Sequence, residues 1–333
     1  MDPVTHAVLG AACSQAILYK QDKQNAWLVG GLAAMAPDLD IFIRSSENPM
    51  LFFLYHRHFT HSLIFIPMGA LIVTLALLIF KRFRTNWKYT FFAALIGYAT
   101  HGLLDACTTY GTVLFWPFSD RRVSWDIVSI IDPFVTVPLC LGVASTLIFN
   151  KRKPVIIALI LAGSFMLFNI AQHYRAMSAV HDELAKLQLN VKKVGVFPKL
   201  LSSTLWRGVA LADDRLYVID ASAPLFKKSS SQFMRSFPHF SSQDLPDYIK
   251  NSPSLLHDFI IFNWFTDNYL IFVRNKPLLL ADGRFLIDGN ATIALWGIQF
   301  LPTQPHVNEL NSIPLVIDKN EADLHPIGHH TIN

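Results

Sequence analysis

The sequence predicts an α-helical integral membrane domain of about six apolar helices, followed by a smaller α+β or β-rich soluble domain. Hydrophobic residues make up 52% of the 333 residues and charged residues only 16%, whereas an ordinary soluble domain carries about 25% charge. Mean hydropathy is correspondingly high, at +0.34. The apolar runs lie before Ile170, and the chain after Arg175 has the mixed composition of a soluble domain.

The first two apolar segments, residues 4–19 and 27–36, are short. A helix needs about 20 residues to cross the hydrocarbon core, so this pair predicts a helical hairpin that is embedded or shielded by its neighbours. Gly30-Gly31 in the second segment is better explained by helix packing than by a phosphate-binding loop. The N-terminus lacks the basic region of a secretory signal, so we expect the first segment to be retained.

Four further runs complete the six predicted segments, at residues 63–80, 89–104, 134–149 and 154–170. Each is almost free of charge, which is the main sequence signal of a spanning helix. Basic residues in short loops favour the cytoplasmic side. Three basic clusters follow alternate segments, and they are Lys20 with Lys23, then Lys81, Arg82, Arg84 and Lys88, and finally Lys151, Arg152 and Lys153.

With these three clusters on the cytoplasmic side, the sequence predicts a multi-pass protein of the inner membrane. The same orientation puts the segments rich in histidine and aspartate on the extracytoplasmic side, together with the chain after Ile170. The pair Arg121-Arg122 is an exception, because this orientation puts it on the extracytoplasmic side. From the change in composition we expect a membrane domain over residues 1–172, a helical linker over residues 173–190 and an extracytoplasmic α+β domain over residues 191–333.

Short runs rich in β-branched and aromatic residues predict strands in this last domain. One hairpin is expected over residues 205–221, turning at Asp213-Asp214. A final hairpin is expected over residues 285–300, turning at Gly289-Asn290.

Three histidines, His56, His58 and His61, lie directly before the apolar run that begins at Leu63. Neutral imidazole is the commonest metal ligand in proteins, and ionisable groups near membrane segments are usually functional. The stretch therefore predicts a metal site at a membrane face. The alternative is a polar loop of interfacial histidines.

Two carboxylate-containing motifs extend this hypothesis. His101 and Asp105 are four residues apart on a predicted helix and so lie on one face, where the alternative is a hydrogen bond that ties two helices together. Asp38 and Asp40 follow Pro37. They could both bind one metal ion, bridge two ions, or act one as a ligand and the other as a base. The alternative is that they only cap a helix or stabilise a turn.

Three further residues are weaker candidates. His6 begins the first apolar segment, and a lone histidine there is more often structural. Asp126 and Asp132 precede a predicted span, and we expect them to support the ligands or to cap a helix rather than to bind metal.

The combination of residue types indicates the chemistry. Mixed histidine and aspartate ligation without thiolate suits zinc first, and also manganese or iron(II). More than four strong ligands indicates two or more ions, which favour hydrolysis at phosphorus or carbon. The three cysteines have no CxxC spacing and so predict neither a zinc knuckle nor a disulfide framework. A net charge of +4 without a long basic stripe argues against nucleic acid.

The motifs resemble those of the membrane-bound metal-dependent hydrolases of bacterial inner membranes, whose named member is regulated by the LexA repressor. The resemblance covers residues 1 to about 170. In order, it runs through Met1 to His6, Pro37 to Asp40, His56-Arg57, Thr60-His61-Ser62 and His101 to Asp105, and more weakly through Tyr110-Gly111-Thr112 and Asp132-Pro133. The same pattern is distantly similar to zinc-dependent phospholipase C.

The resemblance implies a helical membrane metallohydrolase. The positions that it implies as metal ligands are His6, Asp38, His56, His61, His101 and Asp105, with Asp40 and His58 fitting the pattern less closely. The site residues and the resemblance together predict cleavage of an ester or phosphodiester in a membrane lipid or interfacial substrate by metal-activated water.

Two residues receive expected roles in this reaction. Asp40 is expected to be the general base or a bridging ligand, and Arg57 is expected to hold an anionic headgroup, since guanidinium suits phosphate. One alternative is a metal-binding membrane transporter or sensor without hydrolytic activity. Such a transporter should carry ionisable groups along a path at mid-membrane. A further alternative is a structural membrane anchor for the C-terminal domain.

Overall fold

A computed structural model describes residues 1–315 of the chain, which form two compact units. The first unit consists of Met1–Ser45, Leu51–Arg175 and Phe197–Trp206. The second contains Ser46–Met50, Ala176–Val196 and the described residues from Arg207 onward. Residues 316–333 of the predicted C-terminal domain lie outside the described part.

The first half of the chain is helical. Its helices are α1 (Pro3–Leu18), α2 (Ala26–Met35), α3 (Met50–Tyr55), α4 (Ile66–Leu77), α5 (Lys81–Arg84), α6 (Trp87–Ala106), α7 (Pro133–Phe149) and α8 (Lys153–Lys186). Short 3-10 helices at Pro37–Phe42, Phe59–His61 and Leu63–Phe65 lie between them.

Local sequence explains where two of these helices begin. The Asp2 carboxylate accepts a hydrogen bond from the Thr5 amide, and Asp132 accepts one from Phe134. In both cases proline follows at the first helical position, where its missing N–H is not needed. Both aspartates therefore act as caps, which is one of the roles expected for Asp132.

Three glycines allow α1, α2 and α6 to pack with their backbones in contact. A Cβ added at Gly97 on α6 would lie 2.1 Å from the carbonyl oxygen of Gly30 on α2. A Cβ added at Gly30 would lie 2.5 Å from the carbonyl oxygen of Gly10 on α1. Small residues permit this approach, and the prediction that Gly30 serves helix packing is confirmed.

The predicted set of about six spanning helices is wrong. Among residues 1–315, only α8, with 34 residues, is long and apolar enough to cross a membrane, and the number rises to two if the pair Met50–His61 and Leu63–Leu77, bent by 59°, is one broken span. The structure therefore does not support the predicted multi-pass topology. The other helices fail for two reasons: α1, α2 and α7 fall short of about 20 residues, and polar residues such as His101 and Asp105 lower the hydropathy of α6.

The C-terminal half forms two four-stranded antiparallel sheets, as fits a soluble domain. The first has the order β1-β2-β3-β4 and the second β5-β6-β7-β8. The strands are β1 (Val191–Pro198), β2 (Leu205–Ala212), β3 (Arg215–Ser222), β4 (Ser230–Pro238), β5 (Leu270–Asn275), β6 (Leu278–Asp282), β7 (Ile293–Phe300) and β8 (Asn308–Pro314). Two helices, α9 (Asp247–Lys250) and α10 (Pro253–Phe265), lie between the sheets in sequence.

The two predicted hairpins have different outcomes. The first is confirmed, because β2 and β3 are joined at Asp213-Asp214, both of which have positive φ as tight hairpin turns require. The second forms in part. The Ile287 amide donates to the Ile293 carbonyl, the Leu295 amide donates to the Phe285 carbonyl, and Leu286 forms an antiparallel bridge with Ala294. Only the later segment is a regular strand, β7, and it also pairs with β6 and β8.

Candidate metal centre

Four separate segments of the first unit supply the polar side chains of the candidate site. They are the start of α1, the 3-10 helix Pro37–Phe42, the stretch around Phe59–His61 and the end of α6. Pro37 ends α2 and starts a 3-10 helix that carries Asp38 and Asp40. His101 and Asp105 lie one turn apart on α6, as their spacing predicts.

Asp38, His61, His101 and Asp105 bring one ligand atom each to within 4.8 Å of one another. The Nε2 atoms of His61 and His101 are 2.9 Å apart. Each of these nitrogens lies 3.3 Å from Asp105 Oδ2. The Asp38 Oδ1 atom lies 3.5 Å from His61 Nε2 and 3.4 Å from His101 Nε2.

These separations match the edges of a tetrahedron around a single ion. Ligands held at about 2.0–2.1 Å from a tetrahedral zinc ion lie about 3.3–3.4 Å from each other. Four of the five measured edges fall within about 0.2 Å of that value, and only the one between the two imidazoles is shorter. The residues present therefore fit a divalent ion.

The contacts of the two Nδ1 atoms strengthen this fit. His101 Nδ1 lies against the carbonyl oxygen of Ala34 and His61 Nδ1 lies 3.2 Å from Asp40 Oδ2, so we assign the ring protons to both Nδ1 atoms. Each Nε2 then faces Asp105 Oδ2, which has no hydrogen-bond partner among the described residues. Burial opposes protonation of His61, but its contacts with Asp105, Asp38 and Asp40 raise its pKa to about 10, so a divalent ion would take the place of a proton at this ring. Converging buried acceptors are costly without a cation. Carboxylates and carbonyls behind ligating histidines are typical of metal sites.

The second oxygen of Asp105 is held by cationic and polar neighbours. Asp105 Oδ1 lies 3.1 Å from His6 Nε2 and 3.3 Å from Arg57 Nη1, and it contacts the Met1 amino group. Burial opposes ionisation of Asp105, but chiefly the Arg57 guanidinium holds the pKa of that carboxyl well below its usual range. Asp105 is therefore a carboxylate that can bind metal.

His6 supports the site from behind this carboxylate. Burial, followed by the neighbouring His101, lowers the pKa of His6 to about 3, so its ring is neutral at physiological pH. The ring stacks on His101 with 3.8 Å between centroids. The structure thus places His6, a predicted ligand, against Asp105 and outside the group of four.

Asp38, Asp40 and His56 form a second group of possible ligands that shares Asp38 with the first. Within it, Asp40 Oδ1 lies 2.8 Å from His56 Nδ1. The other oxygen, Asp40 Oδ2, accepts hydrogen bonds from the Arg57 amide and the Thr60 hydroxyl. Asp40 therefore fixes the orientation of two histidines, His56 through Oδ1 and His61 through Oδ2.

Arg57 lies beside the first group, and its guanidinium is almost fully buried. It contacts Thr108 Oγ1 through Nη1 and stacks on the Tyr110 ring, 4.6 Å from the centroid, while Nε has no partner among the described residues. The backbone of Arg57 is left-handed, with φ of 63°, and hydrogen bonds to Asp40 and Val113 hold it there.

The weaker candidates lie outside both groups. His58 is half-buried against Trp116, with 6.2 Å between ring centroids. Asp126 lies in a loop near Ser124 Oγ, and Asp132 caps α7. Sequence reasoning missed the supporting Thr60, Thr108 and Tyr110 and the Ala34 carbonyl. A backbone acceptor has no sequence signal, whereas threonines beside the predicted ligands could have been considered.

Access to the first group is from the side of Asp38. Its side chain is 23% exposed, whereas those of His61, His101 and Asp105 are fully buried. Leu39 and Phe42 on the same 3-10 helix are 61% and 69% exposed. The exposed edge of the site is thus bordered by apolar side chains.

The fold and the site of the first unit together define a helical unit with a buried cluster of histidine and aspartate suited to a metal ion. Residues 1–176 match the model of the YdjM inner membrane protein family, and the chain belongs to that family. This confirms the predicted inner-membrane family, whereas hydrolase activity and the likeness to phospholipase C stay predictions.

A curated relative is also similar. The chain is 25% identical over 202 residues to the uncharacterized protein YfhP of Bacillus subtilis (strain 168), and the match covers 56% of this chain and 60% of that protein. The chain therefore spans about three fifths of that relative's length. No solved structure matches the chain.

Proposed function

We propose that this protein is a membrane-bound metal-dependent hydrolase that cleaves an ester or phosphodiester in a lipid or other interfacial substrate. The observation that carries the proposal is the convergence of one ligand atom each from Asp38, His61, His101 and Asp105, at separations close to the edges of a tetrahedron. Zinc is the first choice for such a donor set, and manganese or iron(II) are the alternatives.

A second ion would be held by Asp38, Asp40 and His56. Bound divalent ions supply Lewis acidity and lower the pKa of a coordinated water molecule, and two ions can polarise both reacting oxygens. Asp38 belongs to both groups and could contribute to holding either ion.

The protein's own side chains have distinct parts in the proposed reaction. His6 and Arg57 keep Asp105 ionised and oriented, and Asp40 orients His61 through Nδ1. The buried Nε–H of Arg57 is available to an anionic group next to the ions, as guanidinium suits phosphate. That Asp40 also acts as general base or bridging ligand stays a prediction.

The apolar border of the site supports a substrate that stays at the membrane surface. Leu39 and Phe42 flank the exposed edge of Asp38, and exposed apolar patches mark membrane or ligand contacts. A lipid could then present its headgroup to the ions while its chains remain in the bilayer.

The test is hydrolysis by the full chain, purified in detergent and loaded in turn with zinc, manganese and iron(II). Substrates are an aryl phosphodiester, an aryl ester and a long-chain phospholipid. We expect turnover of at least one substrate, lost by more than about 100-fold in His101→Ala and kept in His58→Ala. Metal binding without turnover of any substrate would contradict the hydrolase proposal and favour the metal-binding transporter or sensor.

We also propose an orientation in the membrane. Lys151 and Arg152 directly precede α8, and Lys153 begins it; basic residues favour the cytoplasmic end of a span. The chain after Lys186 would then be extracytoplasmic. That the metal centre faces the same side stays a prediction.

Cysteine labelling tests this orientation in intact cells. Thr85 and Ser242 are both exposed, so each is replaced by cysteine in a chain whose three native cysteines are changed to serine. A membrane-impermeant maleimide is expected to label Ser242→Cys in intact cells and Thr85→Cys only after lysis. The reverse pattern would overturn the orientation.

A further inference from the structure

The three basic clusters of the first unit meet at one end of its helices. Arg82, in α5, donates to the Asn25 side chain and to the Gln24 carbonyl in the turn between α1 and α2. Arg152, at the start of α8, donates from Nε to the Ala16 carbonyl in the last turn of α1, at 2.6 Å. Three turns that are distant in sequence therefore form a single surface.

This surface, which we call the basic end, is strongly cationic. It carries nine exposed basic side chains, namely Lys20, Lys23, Lys81, Arg82, Arg84, Lys88, Lys151, Arg152 and Lys153. The same three turns contain one carboxylate, Asp22, which is buried and accepts hydrogen bonds from Asn25. The protein's own carboxylates in these turns therefore neutralise little of the positive charge.

The arginines and lysines of the basic end differ in what they contact. Arg82, Arg84 and Arg152 each donate to backbone carbonyls, and such carbonyls at helix ends commonly attract cations. The six lysines of the basic end make no ion pair among the described residues. These lysines are Lys20, Lys23, Lys81, Lys88, Lys151 and Lys153. The arginines thus stabilise the fold, and the lysines remain for an external anion.

Exposed apolar and aromatic side chains lie directly next to these lysines. Phe80 precedes Lys81 and is 60% exposed, and Trp87 precedes Lys88 and is 53% exposed. Ile148 and Phe149, just before Lys151, are also exposed. Aromatic residues beside basic ones are typical of the boundary between hydrocarbon and headgroups.

We infer that the basic end is a binding surface for the headgroups of anionic phospholipids. The phosphate is met by the lysine ammonium groups, while the acyl chains contact the apolar residues beside them. Basic residues near an anionic leaflet attract it with a strength that salt reduces. The surface is separate from the metal centre, because Lys88 and His101 are 13 positions apart on α6, or about 20 Å at the usual rise per residue.

The test is native mass spectrometry of the full chain in detergent, titrated with phosphatidylglycerol or phosphatidylcholine. We expect the wild type to retain phosphatidylglycerol preferentially. The quadruple variant Lys20→Gln, Lys23→Gln, Lys81→Gln, Lys88→Gln should bind it at least about 10-fold more weakly, with metal content unchanged. The matched control is Lys192→Gln, Lys227→Gln, Lys228→Gln, Lys250→Gln, which removes the same charge from the second unit and should bind like the wild type.

Several outcomes would overturn the inference. They are equal retention of both lipids by the wild type, undiminished retention by the quadruple variant, or an equal loss in the control variant. Displacement of the lipid by inorganic phosphate would show a site for free phosphate and would also overturn it. Should the quadruple variant fold poorly, the double variant Lys81→Gln, Lys88→Gln decides between the same outcomes.

Discussion

Replacing His61 with alanine is expected to weaken metal binding by more than about 100-fold, because even the loss of a group behind a ligand costs about 10–100-fold. The Nε2 of His61 forms three of the measured edges of the tetrahedron, to His101, Asp38 and Asp105. The remaining three atoms would hold an ion only weakly and with an open position. The measurement is metal content by mass spectrometry, followed by competition with a chelator of known affinity.

Two variants give this result its meaning. Asp40→Asn keeps the size of the side chain but weakens the contact with His61 Nδ1, and it should reduce affinity by about 10–100-fold. His58→Ala removes an imidazole outside both ligand groups and should leave metal content unchanged. A wild type that stays metal-free after reconstitution with zinc, manganese and iron would refute the metal centre, as would full metal content in His61→Ala.

The second large effect is expected on stability, from Gly97→Ala. The added methyl group would lie 2.1 Å from the Gly30 carbonyl oxygen, which belongs to the backbone of another helix and has no side-chain freedom to move aside. Overpacking typically costs about 1–3 kcal/mol, and we expect a loss at the upper end of that range. It is measured as a fall in the midpoint of thermal unfolding in detergent.

Gly163→Ala is the matched control for this prediction. It makes the same chemical change on α8, at a position where an added Cβ meets nothing within 4 Å. The variant should be neutral, or more stable by up to about 1 kcal/mol, since alanine is the better helix former. Equal melting midpoints for Gly97→Ala and the wild type would show that α2 and α6 are not in close contact.

The sequence predicts which residues form the site better than it predicts how their atoms are arranged. Asp38, His61, His101 and Asp105 were all expected as ligands, because the resemblance of their motifs to those of the membrane-bound metal-dependent hydrolases implies it. Which atom faces the ion depends on long-range contacts, such as His101 Nδ1 with the Ala34 carbonyl, and these have no local signature. His6 was also expected as a ligand, but the structure places it behind Asp105. Such long-range placement has no local signature in the sequence.

The membrane segments were less predictable, because the length of an apolar run does not fix the length of a helix. Residues 63–80 are free of charge until Lys81, yet they divide into the 3-10 helix Leu63–Phe65 and the 12-residue α4. Ser62 is extended, and the chain bends by 59° there. Hydropathy alone cannot register such a bend, whereas the Asp213-Asp214 hairpin was predictable because turn chemistry is local.

The crowding of four acceptor atoms in the metal centre has a consequence for the life of the protein in the cell. A metal ion that binds only the folded chain would stabilise it by about 2.7 kcal/mol when its free concentration is 100 times the dissociation constant. Without the ion, this stabilisation is lost. Metal starvation would therefore raise the population of open forms, and proteolysis of such forms would make the abundance of the protein follow the metal supply.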